Sequence, residues 1–166
     1  MTQLSEIYNQ RILELSANIP PGGRLDDADA SATAHSKLCG STVTVDLKLA
    51  DDDRVAAYAQ TVKACLLGQA AASVVAHNIL GTTADEMREV GATMRKMLKA
   101  GGAPPSGRWA DLAVLEPVKD YKARHASTLL VFDAVESALA AAEAKRNEAG
   151  ATAVSPQNTA MAPSDR

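Results

Sequence analysis

The chain has 166 residues, 46% of them hydrophobic, 3% aromatic and 22% charged, with a formal net charge of −3 and two cysteines. That length suits one compact unit plus tails, able to bury a core without disulfides or metal, and the wealth of alanine implies thin, largely helical core layers. An acidic balance, with a sequence pI near 5.6, argues against a protein that neutralises a phosphate backbone, and no segment has the length of a membrane span.

The first residues, MTQLSEIYNQRILELS, lack the basic start and unbroken apolar run of a signal peptide, so a cytoplasmic protein is expected. In that compartment paired cysteines are more often ligands or reactive thiols than disulfides. Leu4, Ile7, Tyr8, Ile12 and Leu15 fall on one face of a helix, which Pro20, Pro21, Gly22 and Gly23 end. The stretch 25–35 (LDDADASATAH) is polar and small, ambiguous as a strand, and its adjacent aspartates read as a solvated turn. Residues 42–49 (TVTVDLKL) alternate as a half-buried strand does; Asp51, Asp52 and Asp53 make a turn, and 54–62 is the hairpin partner.

From Cys65 the run CLLGQAAASVVAHNIL is almost wholly apolar or small and predicts a buried helix closing at Gly81. Thr83 and Glu86 form a capping box for a second helix, which stops at Gly101-Gly102. Pro104, Pro105 and Ser106 make a loop, 108–118 is mixed, and a long alanine-rich helix runs from Ser127, its expected N-cap, to about Lys145. Residues 148–166 are small, polar and Pro-containing and are expected to be a disordered tail, leaving 1–147 as the domain.

Chemistry converges on the cysteines. Cys39 precedes the hairpin and Cys65 follows it, so the hairpin brings the two thiols together. The start of a helix and nearby Lys63 favour thiolate at Cys65. Each cysteine could instead be an inert core residue, since free Cys is among the most buried types. His125, just ahead of the last helix, would bring the count of metal donors to three; His35 and His77 have no acidic or thiol neighbour in sequence to single them out. No dinucleotide fingerprint, phosphate loop, H-E-x-x-H or G-x-S-x-G occurs.

Taken in order, LDDADA, SKLCGS, VTVDLKL, CLLGQAAAS and RHASTLLVFDA resemble the NifU/IscU/SufU family of iron-sulfur cluster assembly scaffolds, from about residue 4 to 143. The layout is that of the SufU-like branch, because a helical segment, 83–100, separates the second and third blocks. The resemblance implies an α+β fold, a small antiparallel sheet of about three strands with helices on one face. It also implies a site of three Cys and one Asp for zinc, iron or a nascent iron-sulfur cluster. Cys39 and Cys65 match the first two family cysteines, Ser41 stands where the family has Asp, and Ser127 falls on the third cysteine, aligned through Arg124. The expected metal ligands are therefore Cys39, Cys65 and His125, with Ser41, Ser127, Lys63 and Arg124 as weak or neighbouring participants. LEPVK, 115–119, is similar to the chaperone-recognition motif LPPVK, although its spacing favours a coincidental loop.

Implied partners are a cysteine desulfurase that supplies sulfur and iron-sulfur recipient or carrier proteins, with a homodimer bridging a cluster, no nucleic acid, no membrane and no catalytic turnover. Two other functions compete: a relative that kept the fold but lost the cluster and modulates other assembly factors, and a thiol module accepting sulfur as persulfide without stable metal.

Overall fold

A computed structural model describes residues 9–38 and 40–161, with side chains through residue 149. Helix α1 (Gln10–Ala17) opens on Asn9, whose side chain accepts the Ile12 N–H at 3.0 Å, and it buries Ile12 and Leu15. The expected anchors Leu4, Ile7 and Tyr8 lie outside the described residues, as do Cys39 and nearly all of the side chains of the expected tail from residue 148.

Strands β1 (Ala30–His35), β2 (Thr42–Leu49) and β3 (Val55–Lys63) form one antiparallel sheet in that order. In β2, Val43, Val45, Leu47 and Leu49 alternate onto the buried face, where the period-2 pattern requires them. The segment of uncertain class thus resolves into a strand, because its small residues pair with β2 from Ala30↔Leu47 to His35↔Thr42. Asp53 turns the β2–β3 hairpin with φ of 65°.

Helix α2 (Leu66–Asn78) follows β3, and α3 (Ala84–Ala100) begins at Thr83, whose hydroxyl accepts the Glu86 N–H at 3.1 Å. Gly101, at φ 68°, closes α3 in the left-handed conformation that glycine adopts without strain. The mixed stretch proves to be 3₁₀ helix over Gly107–Asp120 and Lys122–Arg124, burying Trp109, Leu112, Leu115 and Val118. Helix α4 (His125–Met161) then crosses the sheet and packs on α2 and α3. It starts two residues before Ser127, so that serine is not its N-cap. The preceding 3₁₀ turn leads straight into α4, and the Ser127 and Thr128 hydroxyls donate back to the Arg124 carbonyl at 3.3 and 2.7 Å, as they do inside a helix. The core lies between this helical layer and one sheet face, giving the α+β architecture that the sequence implies.

The outer face of β2 carries a buried charge. Asp46 is 1% exposed, and its carboxylate accepts Arg24 Nε at 2.7 Å, Arg24 Nη2 at 3.0 Å, the Leu25 N–H at 2.9 Å and the Ser31 hydroxyl. The Arg24 hydrogen bonds outweigh desolvation and hold its pKa at about 2, against 3.8 for an ordinary aspartate. A lowered carboxylate pKa means that the folded state binds fewer protons, so the gain is complete above about pH 4 and disappears as the pH falls towards 2. Wild type should therefore exceed Asp46→Asn by about 2 kcal/mol in urea unfolding at neutral pH, and the gap should close between about pH 4 and 2. A gap constant with pH would exclude this ionic tie. The aspartates of LDDADA act in the same way: Asp27 pairs with Lys48 at 3.0 Å and Asp29 accepts the Leu49 N–H at 2.7 Å, fastening the segment to β2.

Candidate functional site

Sheet register determines where the sequence-predicted residues meet. Thr42, the first residue of β2, pairs with His35 on one side and Lys63 on the other. The β1–β2 turn and the start of α2 therefore occupy the same end of the sheet. Around the turn, the Ser36 N–H donates to the Ser41 carbonyl at 2.9 Å and the Gly40 N–H to the Ser36 carbonyl at 2.8 Å, while Gly40 takes φ of 72°. A glycine after the cysteine is thus a backbone requirement of this turn. Cys39 belongs to it but lies outside the described residues; Ser41 is buried at its end.

Cys65 is a free, half-buried thiol at the N-cap of α2, in extended conformation, and its sulfur makes no capping bond. The sulfur instead meets the Ser127 hydroxyl of α4 at 3.4 Å. A glycine makes this approach possible. A Cβ on Gly68 would come within 2.8 Å of the Ala64 Cβ and 2.9 Å of the Ser127 carbonyl oxygen, closer than real contacts. Because that oxygen is backbone, Gly68→Ala should force α2 and α4 apart, cost about 1–3 kcal/mol and lower the melting temperature. A variant that melts as wild type would mean that the helices are not in this contact. Gly68 was not singled out from the sequence, where it reads as one small residue in an apolar run.

His125 takes a different position. It is 7% exposed, and its Nε2 donates to the Val118 and Lys119 carbonyls at 3.0 and 3.1 Å. Carbonyls only accept, so Nε2 carries a proton, and any lone pair this ring offers is on Nδ1. Residues two apart on a helix leave from nearly opposite sides, so Ser127 is the α4 residue that reaches Cys65 and His125 is not. His125 instead lines a groove together with Leu38, the residue before Cys39. Arg124 contributes its carbonyl to Ser127, and Lys63 ends β3, two residues ahead of Cys65. Among the described residues no three His, Cys, Asp or Glu side chains gather as a metal cluster. His77 Nδ1 bonds its own helix at the Ser73 carbonyl, 2.8 Å away, and His35 is an exposed end of β1. No helix among the described residues is long and apolar enough to cross a membrane.

The chain is similar to NifU-like proteins and to iron-sulfur cluster assembly scaffolds. The family model described as NifU-like N terminal domain matches residues 7–128. The iron-sulfur cluster assembly scaffold protein IscU of Thermotoga maritima is 26% identical over 133 residues, spanning 80% of this chain and 92% of that protein. The crystal structure of a nitrogen-fixing NifU-like protein (N-terminal) from Brucella abortus superposes with a TM-score of 0.84 at 54% identity, over 87% of this chain and 99% of that one. A candidate SUF-system scaffold from Fervidobacterium islandicum shares the fold with a TM-score of 0.74 at 23% identity, over 82% and 99%. With its three-stranded sheet, its cysteine-bearing helix start and a family match across most of its length, the chain belongs to the NifU-like N-terminal domain family, homologous to iron-sulfur cluster assembly scaffolds.

Proposed function

We propose that this protein receives iron and sulfur, holds them as a nascent iron-sulfur cluster at Cys39 and Cys65, and passes the assembly to recipient or carrier proteins. The observation that carries the reading is the free Cys65 thiol, unused in capping, at the point where α2 and α4 converge. Two thiolates suit iron and zinc alike; the His125 Nδ1 does not reach Cys65 and would join such a site only from the Leu38 side of α4. Ser127 is a poor ligand; once the Cys65 sulfur is a thiolate, the Ser127 hydroxyl would turn from the Arg124 carbonyl to donate to it, an interaction that tunes a metal-bound thiolate. The cargo is substrate to be handed on, so the protein has no turnover of its own.

Sulfur arrives by exchange. The Cys65 thiolate attacks the outer sulfur of a persulfide on a cysteine desulfurase; the new S–S bond forms as the old one breaks, and the desulfurase cysteine leaves as thiolate. Anaerobic incubation of the full chain with ferrous iron, excess cysteine and a desulfurase tests the reading, the excess thiol reducing the transferred persulfide sulfur to sulfide as it is itself oxidised to disulfide. Sulfide-to-iron charge-transfer bands and bound iron are expected. Wild type that takes up neither iron nor zinc would end the scaffold reading, and persulfidated Cys65 without metal would leave the thiol module in its place.

A further inference from the structure

Most of the described arginines are spoken for. Every one except Arg124 pairs with a carboxylate, as does Lys48. Of the cations that make no ion pair among the described residues, Lys37, Lys99, Lys119, Lys122 and Arg124 lie around the cysteine-bearing end. Three of them, Lys99 from the last turn of α3 and Lys119 and Lys122 from the 3₁₀ segments, line one groove of about 560 Å³. Apolar surface completes it: Leu98, Ala123, Ala126 and Leu38 share the lining, and Leu38 is 79% exposed. Asp120 lies on the same segment but does not line the groove.

A protein with net charge −3 has thus gathered uncompensated positive charge at one place, beside a large exposed apolar side chain. An exposed leucine next to a cationic groove is the arrangement of a binding surface rather than of a solvated face. The groove is far larger than an inorganic anion. The aromatic ring in its lining, His125, is buried and bonded to the Val118 and Lys119 carbonyls, so it offers no exposed face on which bases could stack. Carboxylates flanking an apolar side chain would match both the three ammonium groups and the exposed apolar surface of Leu38, Ala123 and Ala126.

We propose that this groove docks an acidic, apolar-tipped surface segment of the sulfur-donating enzyme, a partner assignment that rests on the function proposed above. Leu38 is covalently next to Cys39, so a segment seated against it delivers its own protein to the acceptor thiols. Docking by exposed charges acts chiefly on encounter and is screened by salt, with a Debye length of about 8 Å at physiological ionic strength.

The test measures binding of the full chain to a cysteine desulfurase from the same source at low and high salt, by calorimetry, with iron loading followed in parallel. The triple variant Lys99→Glu, Lys119→Glu, Lys122→Glu should weaken binding by about ten-fold or more and flatten its salt dependence, and Leu38→Ser should weaken it independently. All four positions are exposed, so folding and iron loading should be unchanged. The control pair Lys96→Glu, Lys145→Glu, also exposed and outside the groove, should bind as wild type. If the triple variant binds like wild type, the docking assignment falls while the scaffold function stands. If wild type loads iron but does not bind the desulfurase, docking and direct sulfur receipt both fall; if it does neither, so does the scaffold reading. A DNA duplex bound as tightly as the desulfurase, and lost in the same triple variant, would overturn a protein segment as occupant.

Discussion

Cys65→Ser should weaken iron and zinc binding by on the order of a hundred-fold and eliminate persulfide on this helix start, while leaving the fold intact. The two halves of that expectation have different causes. A hydroxyl holds soft or borderline metals far more weakly than a thiolate and cannot carry persulfide sulfur. A four-ligand structural zinc site is worth about 10–16 kcal/mol, so one lost thiolate removes roughly 3 kcal/mol, on the order of a hundred-fold in affinity. Folding is protected because Cys65 is the N-cap of α2, has no side-chain cap bond to lose, and serine is among the preferred N-cap residues. Weakened metal binding with an unchanged or slightly raised melting temperature therefore assigns Cys65 as a ligand. Full metal binding in the variant would remove Cys65 from the site. His125 needs a different substitution, because alanine would also abandon the buried Val118 and Lys119 carbonyls. His125→Gln keeps a donor for them without the Nδ1 lone pair, so reduced metal binding there reports ligation rather than lost packing.

What was legible in the sequence tracks how local the determining physics is. Strand β2 and the capped start of α3 were readable because alternation and a capping box are satisfied within a few residues. Strand β1 was ambiguous because ASATAH has weak propensity and its class is decided by pairing with β2, a nonlocal event. The start of α4 was misplaced because a serine ahead of an apolar run resembles an N-cap, whereas the 3₁₀ turn at Lys122–Arg124 had already set the helix in motion. At the site, the hairpin pairs Thr42 with Lys63, which sets the β1–β2 turn and the start of α2 at one end of the sheet, while Cys39, whose meeting with Cys65 the sequence led one to expect, lies outside the described residues. Spacing could not reveal that Ser127 reaches Cys65, 62 positions away, since that contact depends on Gly68 letting α2 and α4 approach. Only the family resemblance pointed to Ser127. Nothing in the alternation of β2 marks Asp46 as a buried charge, because the arginine that covers it comes from a loop 22 positions earlier.

Ser127→Cys should raise zinc affinity by on the order of a hundred-fold and slow metal release to a chelator. Tetrahedral zinc with bonds of about 2.3 Å to sulfur places any two sulfur ligands about 3.8 Å apart. In the protein the Cys65 sulfur and the Ser127 oxygen are separated by 3.4 Å, already near the edge length of such a site, and both belong to ordered helix starts. A longer C–S bond brings the new sulfur to that spacing with little rearrangement, so the added thiolate arrives preorganised. Binding should also release more protons, making affinity steeper with pH, because another thiol must ionise to ligate. Competition against a chromophoric chelator under reducing conditions measures both effects, and the reductant removes the rival outcome of a disulfide between Cys65 and the introduced thiol. Unchanged affinity with an intact thiol pair would place the metal away from the α2–α4 junction and return Cys65 to a structural role. A hundred-fold gain would instead mean that serine at this position keeps the native site weak, with one hydroxyl in place of a thiolate setting how readily the protein gives up what it holds.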